Sequence, residues 1–296
     1  MIRQIGYFIL HLRLHYQFLI LSGGYLLGGL MSESMNTGHY WMQFLNVHVL
    51  LFGGATAFNS WWDKDEGPIG GLKNPPPMSK WMHPVSLGFM LAGWIWSLPV
   101  GWLYSSVYTV SLLLFWLYST PIARWKGHPV LSMSAIGIST GLNSVLLGVL
   151  AAGGELTPFI AVAALGASLI LLSLYPVSQI FQVDEDMRRG DQTFAAVYGL
   201  DRVKKFFFVS YFAGMLLLCY ALLQLYPVPS IALGSAGTVT GIIIGKIIVN
   251  LTGQEEEYST VMRIKFMASL SFVIFLFISN LIRHDWARIG SLDIYF

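Results

Sequence analysis

The stretch QIFQVDEDMRRGDQT, residues 179–193, places four carboxylates, two arginines and a glycine at the end of an apolar segment. A second stretch, NSWWDKDEGPIGGLKNPPP, residues 59–77, also follows an apolar segment and carries three more acids. The two stretches lie about 120 positions apart and together hold seven of the fifteen Asp and Glu residues of the chain. In so apolar a chain, this clustering indicates a functional site.

The overall composition is that of an integral membrane protein. The 296 residues are 55% hydrophobic and 11% charged, with a mean hydropathy of +0.63, and the charged fraction is about half that of soluble globular proteins. The net charge of +2 and the even spread of Lys and Arg argue against a nucleic-acid partner. The single cysteine, Cys219, excludes a disulfide framework and a thiolate metal site.

A membrane-spanning helix needs roughly 20 apolar residues, and the sequence predicts nine such segments in one all-α domain covering residues 1–296. Residues 1–13 are apolar but broken by His and Arg, which predicts a retained interfacial helix rather than a signal peptide. The predicted spans are 14–31, 40–58, 84–103, 107–118, 130–152, 158–177, 206–226, 230–249 and 266–282.

The basic residues predict the orientation, because cytoplasmic loops retain Lys and Arg. With nine spans and a cytoplasmic N-terminus, fifteen of the seventeen Lys and Arg residues fall at or near the cytoplasmic face. The same arrangement places both acidic stretches on the cytoplasmic side.

In the stretch 59–77, Asn59 and Asp63 are four residues apart and so share one face of a continuing helix, with Asp65 and Glu66 just beyond. A simpler interpretation is that these acids are solvated loop charges that flank a helix end. The shared face favours a site.

In the stretch 179–193, Gln179, Gln182 and Asp186 also fall on one helical face, with Asp184 and Asp191 a partial turn to either side. Two facing carboxylate clusters would repel each other unless a cation lay between them. Mg²⁺ binds one or two carboxylates together with substrate phosphate oxygens. The pattern therefore predicts a diphosphate held by Mg²⁺, and in a lipid-embedded bundle the substrate would be an isoprenyl diphosphate.

These motifs resemble those of the UbiA superfamily of intramembrane prenyltransferases. The first family signature, N-D-x-x-D-x-x-x-D after the second span, is similar to NSWWDKDEG at residues 59–67. The second, D-x-x-x-D followed by a glycine and T-x-A-x-x-x-G, is similar to QVDEDMRRGDQTFAAVYG at residues 182–199. Between them, YSTPIARWK at residues 118–126 resembles the Y-S-x-P segment of the family. The resemblance covers essentially the whole chain and implies a nine-helix bundle with a central cavity that opens at the cytoplasmic side.

Two departures from the family matter: Gly67 and Gln182 stand where the signatures have Asp. Asp65 and Glu66 would have to replace the first carboxylate, and Asp184 is the predicted substitute for the second. The resemblance implies three sets of site residues. The catalytic set is Asn59, Asp63, Tyr118 and Asp186. The diphosphate-binding set is Lys73, Arg124, Lys126 and Ser119, although each basic residue is also explained by membrane topology. The metal ligands are Asp63, Asp65, Glu66, Asp184, Asp186 and Asp191.

The predicted function is Mg²⁺-dependent transfer of an isoprenyl group from its diphosphate to a hydrophobic acceptor, most often an aromatic ring in this family, as in quinone or related lipid biosynthesis. The predicted location is a multi-pass position in the membrane, the inner membrane in a bacterium, with the active site cytoplasmic. Asn143 and His48 are candidate acceptor contacts, and helix-to-helix hydrogen bonds explain them equally well. An intramembrane terpene cyclase or lyase that acts on the diphosphate is an alternative. A cation-coupled transporter is disfavoured, because it predicts inverted repeats and acids near mid-membrane.

Overall fold

The computed structural model describes residues 2–64 and 67–285, and these residues form an all-helical protein. Within these ranges the extended pairing is limited to one isolated bridge between Ile69 and Leu72. Asp65 and Glu66, for which a metal role is predicted, lie outside the described residues. The predicted all-α class is confirmed for the part of the chain that the structure covers.

The described chain contains helices of very different length, which we number in order. Their bounds are α1 (Ile2–Leu12), α2 (14–30), α3 (37–63), α4 (Met82–Ser97), α5 (Trp102–Ser119), α6 (Pro129–Ala152), α7 (Pro158–Leu174), α8 (Val183–Arg189), α9 (Phe194–Leu223), α10 (Pro227–Val249) and α11 (Tyr258–Arg283). Wider π-helical turns lie within α2, α3 and α6, at Gln17–Leu21, Asn46–Gly53 and Gly137–Leu142. A 3₁₀ segment, Pro176–Gln182, joins α7 to α8.

Each of the nine predicted spans overlaps a helix, but the predicted span 84–103 runs past the end of α4 through Leu98–Val100 and Gly101 into α5. Within the described ranges, five helical stretches are long and apolar enough to cross a membrane: Pro129–Ala152, Pro158–Arg189, Phe194–Leu223, Pro227–Val249 and Glu255–Arg283. An apolar segment can enter lipid only with its backbone hydrogen bonds satisfied internally, which a helix achieves. The chain is thus an integral membrane protein, and the count of nine spans stays a prediction.

The helix ends follow from local chemistry. The Thr157 side chain caps α7 by accepting from the Ile160 amide, and Pro158 follows at the first helical position, where its missing N–H costs nothing. At the other end of a helix, α8 stops at Gly190, which adopts φ 76°, a left-handed conformation that favours glycine. This stop turns the chain back so that the residues after Gly190 face the same space as α8.

Two pairs of helices pack so closely that only glycine fits between them. A Cβ on Gly148 of α6 would lie 2.1 Å from the Tyr25 carbonyl oxygen of α2, and a Cβ on Gly166 of α7 would lie 2.8 Å from the Gly214 carbonyl oxygen of α9. Small residues permit such backbone contact between membrane helices. The contacts hold α2 against α6 and α7 against α9, and these helices form much of the wall of a central cavity.

The segment before the first predicted span behaves as a separate helix. This helix, α1, ends at Leu12, and the next residue, Arg13, has φ 50°. Its exposed side carries the apolar side chains of Ile2, Ile5 and Ile9. Its interfacial position stays a prediction.

Candidate active site

A cavity of about 380 Å³ lies between the helices and is lined by polar and apolar groups. Both acidic stretches contribute polar groups: Asn59, Asp63, Gln179, Gln182, Asp186, Arg189, Asp191 and Thr193. Apolar side chains from six helices also form part of the wall: Phe52, Phe115, Ile170, Leu171, Leu174, Met215, Leu233, Phe272 and Phe275. The two stretches, far apart in the chain, therefore meet at one cavity.

Asp63 is held at the end of α3 by a chain of hydrogen bonds. The Ser119 hydroxyl of α5 donates to Asn59 Oδ1 over 3.0 Å, and Asn59 Nδ2 donates to Asp63 Oδ2 over 2.7 Å. The Lys126 ammonium forms an ion pair with Asp63 Oδ1. Because the Asn59 amide accepts from the serine, its NH₂ group must face the carboxylate. Asn59, a member of the predicted catalytic set, therefore orients Asp63.

The second acidic stretch is clamped from the loop that follows α5. Arg124 donates from Nε and Nη2 to the two carboxylate oxygens of Asp191, over 2.7 and 2.8 Å. The Gln192 amide donates to the Gly127 carbonyl oxygen over 2.9 Å. A Cβ on Gly127 would lie 2.7 Å from Asp191 Oδ1, so glycine is needed there. This bidentate pair fixes Lys126 between the two stretches.

The electrostatics of Lys126 show how tightly this loop is enclosed. The side chain is 8% exposed, and burial lowers its pKa from 10.5 to about 8, a shift that the carboxylates of Asp191 and Asp186 oppose. The neighbouring carboxylates therefore favour the charged form of the Lys126 side chain, against the effect of burial. Such a group is suited to bind a phosphate anion in the cavity.

The residues of the second signature separate into cavity and surface groups. Asp186 lines the cavity and accepts from the Thr193 hydroxyl over 3.0 Å. Gln182 also lines the cavity, and its Nε2 donates to the Pro68 carbonyl oxygen over 2.9 Å. Asp184 is exposed and does not line the cavity. Its predicted replacement of the family carboxylate therefore finds no support in this arrangement and stays a prediction.

The predicted phosphate-binding residues also separate into residues at the cavity and residues at the surface. Ser119 and Lys126 line the cavity, and Arg124 reaches it through Asp191. Lys73 is exposed and lies outside the cavity lining. The loop that carries Lys73 crosses the cavity nonetheless, because its residues Ile69 and Gly70 form part of the wall.

Aromatic rings border the polar end of the cavity. The hydroxyls of Tyr118 and Tyr175 lie 2.8 Å apart, and both residues line the cavity. Phe52 and Phe115 continue the aromatic wall in an edge-to-face contact at 5.7 Å. Tyr118, a member of the predicted catalytic set, thus lines the same cavity as Asp186 and Asp191.

Asn143 and His48, the candidate acceptor contacts, do not line the cavity. Asn143 of α6 donates to the Ser111 hydroxyl of α5 over 2.9 Å, a helix-to-helix hydrogen bond. His48 Nδ1 lies 2.8 Å from the Phe44 carbonyl oxygen of its own helix. The helix-to-helix alternative therefore accounts for Asn143, whereas the bond of His48 stays within one helix.

Several polar residues line the cavity without having been predicted to do so, among them Arg13, Gln17 and Lys265. The sequence marked Arg13 and Lys265 only as charges near the membrane boundary. The signal that could have found them is a basic residue inside the end of an apolar segment rather than in a loop.

The chain is similar in sequence to known proteins. The sequence model of the UbiA prenyltransferase family matches residues 20–270. A digeranylgeranylglyceryl phosphate synthase from Methanothrix thermoacetophila is 27% identical over 207 residues, which cover 70% of this chain and 73% of the relative.

Solved structures of similar fold cover nearly the whole chain. A UbiA homologue from Archaeoglobus fulgidus bound to GPP and Mg²⁺ is 14% identical, covers 93% of this chain and 99% of its own, and has a TM-score of 0.73. The apo structure of a UbiA homologue from Aeropyrum pernix K1 is 19% identical, covers 91% and 98%, and has a TM-score of 0.60. With a family match over most of its length and the shared fold, the chain belongs to the UbiA prenyltransferase family.

Proposed function

We propose that this protein transfers an isoprenyl group from an isoprenyl diphosphate to a hydrophobic acceptor, with Mg²⁺ as cofactor. The observation that carries the proposal is one cavity in which carboxylates and cations meet at one part of the wall and apolar side chains form much of the remainder. A substrate with an anionic head and a hydrocarbon tail matches such a wall. The GPP and Mg²⁺ bound to the Archaeoglobus fulgidus homologue support the same assignment.

The donor set of the cavity fits Mg²⁺. The carboxylates of Asp63 and Asp186 and the amide of Gln179 are oxygen donors, which Mg²⁺ prefers. Among the described residues no three His, Cys, Asp or Glu side chains converge as a ready-made metal site. This agrees with an ion held by one or two carboxylates and completed by substrate phosphate oxygens. When bound, the metal would stabilise the negative charge that develops on the departing diphosphate.

The residues around the carboxylates bind the substrate and orient its head. Lys126, between the two acidic stretches, neutralises phosphate charge, and the Arg124–Asp191 pair holds the lysine in place. The bond between the allylic carbon and the diphosphate oxygen breaks, and the electron pair leaves on that oxygen. The faces of Tyr118 and Phe115 stabilise the allylic cation by roughly 0.5 to 2 kcal/mol each. The acceptor nucleophile then bonds to this carbon and releases its proton to the diphosphate.

Two kinds of molecule are candidates for the acceptor of the isoprenyl group. The family resemblance suggests an aromatic ring, as in quinone or related lipid biosynthesis. The relative from Methanothrix thermoacetophila is named for a glyceryl phosphate lipid, which suggests a lipid phosphate. Both kinds of acceptor combine an apolar body with a nucleophilic group, and both enter the test below.

We also propose nine spans with the N-terminus and the polar end of the cavity in the cytoplasm. The bias of Lys and Arg supports this topology. Replacing exposed Lys73 by Cys, with Cys219 replaced by Ser, should give a thiol that an impermeant maleimide labels from the cytoplasmic side. Labelling from the opposite side in intact cells would overturn the orientation.

The function is tested by incubating membranes that contain the protein with labelled isoprenyl diphosphates and a panel of phenolic acids, naphthoates, porphyrins and lipid phosphates. Asp63→Ala and Asp186→Ala should abolish transfer, as should chelation of Mg²⁺. Asp201→Ala, at an exposed acid of α9, is the matched control and should retain full activity. Full activity in both cavity variants would refute the metal assignment, and a prenyl product formed without any acceptor would indicate a cyclase or lyase.

A further inference from the structure

Lys265 is a buried cation that the site described above does not use. It lies on α11, is 8% exposed and lines the cavity. Its Nζ sits 5.1 Å from the ring centroid of Tyr16. In the described ranges 2–64 and 67–285, no carboxylate forms an ion pair with this nitrogen and no acceptor hydrogen bonds to it.

A buried ammonium normally has an anionic or hydrogen-bonding partner, because removing it from water is costly. The face of Tyr16 offsets this only in part. The other buried lysine of the cavity, Lys126, illustrates the contrast, since it contacts Asp63 directly. Lys265 is therefore a cation whose partner should come from a molecule in the cavity.

The surroundings of Lys265 form a second polar region, which we call the Lys265 cluster and define as Arg13, Tyr16 and Lys265. A Cβ on Gly70 would lie 3.7 Å from Tyr16 Oη and 3.8 Å from Arg13 Nη1, so both groups face the same loop residue. The Arg13 guanidinium donates to the Ser60 hydroxyl over 2.8 Å and to the Gly70 carbonyl oxygen over 3.1 Å. These bonds fix its positive charge at the cavity wall.

The cluster belongs to different helices from the acidic stretches. Lys265 is on α11, Tyr16 is at the start of α2 and Arg13 lies just before it. Asp63, in contrast, ends α3, and Asp186 lies on α8. Ser269, one turn beyond Lys265 on the same face of α11, also lines the cavity and adds a hydroxyl donor. Beyond it the wall becomes apolar at Phe272.

We propose that the Lys265 cluster binds the anionic head group, a phosphate monoester or a carboxylate, of the acceptor that receives the prenyl group. The inference rests on the proposed function and specifies its second substrate. The diphosphate is assigned to the carboxylates and to Lys126. A separate cation that has no carboxylate partner among the described residues suits a second anion. An acceptor anchored here extends its apolar body along Phe272.

The test compares the KM values of both substrates in variants of Lys265. Lys265→Met removes the charge at similar length, Lys265→Gln is a second neutral variant, and Lys265→Arg keeps the charge. Lys205→Met, at an exposed lysine of α9, is the control. Two acceptor pairs are used: a prenylglyceryl phosphate with its uncharged prenylglycerol, and 4-hydroxybenzoate with its methyl ester.

Loss of a charged hydrogen bond should raise the KM of the anionic acceptor roughly 10- to 100-fold in the neutral variants. The acceptor affected, phosphate or carboxylate, identifies the head group. The KM of the isoprenyl diphosphate and of the uncharged acceptors should change by less than about twofold, as should every value in Lys265→Arg and Lys205→Met. Unchanged KM values for both anionic acceptors would overturn the proposal, as would a rise confined to the diphosphate.

Direct binding separates this proposal from the proposed function. If the wild-type protein transfers no prenyl group, binding of the prenylglyceryl phosphate and of 4-hydroxybenzoate is measured by their effect on the unfolding temperature. A shift in the wild-type protein that is lost in Lys265→Met and kept in Lys265→Arg supports the cluster without catalysis. Equal shifts in all variants, or none in the wild-type protein, would overturn it.

Discussion

Replacing Ser119 by Ala should reduce prenyl transfer although the serine does not need to contact the substrate. Its hydroxyl donates to Asn59 Oδ1, and Asn59 Nδ2 donates to Asp63 Oδ2. Without the hydroxyl, the amide can rotate by half a turn and present its oxygen to the carboxylate. Asp63 then loses the bond that holds it in place for the metal and the diphosphate.

The magnitude follows from the two hydrogen bonds. A neutral bond such as that of Ser119 contributes about 0.5–1.5 kcal/mol, and a bond to a carboxylate such as that of Asn59 about 1.5–3 kcal/mol. At 1.36 kcal/mol per tenfold in rate, kcat/KM should fall roughly 2- to 13-fold in Ser119→Ala. In Asn59→Ala it should fall roughly 10- to 150-fold.

The assay is the initial rate of transfer from labelled isoprenyl diphosphate, measured for both single variants and the double variant. If Ser119 acts through Asn59, adding Ser119→Ala to Asn59→Ala should change kcat/KM by less than about twofold. Ser106→Ala, at an exposed serine of the same helix that bonds to Trp102, should leave the rate unchanged. Additive losses in the double variant would refute the positioning role and favour direct binding of the diphosphate by Ser119.

Three further predictions concern packing, the clamp and the aromatic wall. Gly148→Ala should lower the unfolding temperature in detergent, because overpacking costs about 1–3 kcal/mol. The control Gly88→Ala, at a position where a Cβ would have no atom within 4 Å, should leave this temperature unchanged. Equal unfolding temperatures of the two variants would contradict the close helix contact. Arg124→Lys should reduce transfer about tenfold because lysine cannot form the two-pronged bond to Asp191, and wild-type rates would contradict the clamp. Tyr118→Phe should keep most activity, whereas kcat/KM should fall roughly 2- to 30-fold in Tyr118→Leu, which lacks the aromatic ring. Equal losses of activity in the two variants would indicate that Tyr118 acts through its hydroxyl rather than its ring.

Much of the architecture could be predicted from the sequence. Long apolar segments have few structures open to them in lipid, because every backbone polar group must be satisfied within the segment. All nine predicted segments overlap helices for this reason. The same holds for Asn59 and Asp63, whose spacing of four residues guarantees a shared helix face and gives the observed hydrogen bond.

Tertiary structure decided which charges face the cavity. Asp184 and Asp186 are two residues apart on the short helix α8, so their side chains point in different directions. Because α8 follows a 3₁₀ segment, the sequence does not determine how this helix is rotated about its own axis relative to the cavity. The structure turns Asp186 inward and leaves Asp184 exposed. It likewise exposes Lys73 and buries Lys265, because the position of a lysine relative to a cavity depends on how distant helices pack.

The sequence by itself determined the membrane class, the helices, the family resemblance and the two acidic stretches that form the candidate site. Only the tertiary structure joined these stretches through Lys126 and revealed Lys265 on the cavity wall. The physical reason is that hydropathy and local spacing act within one segment, whereas a binding site is made from side chains of several helices whose relative rotation is fixed by packing.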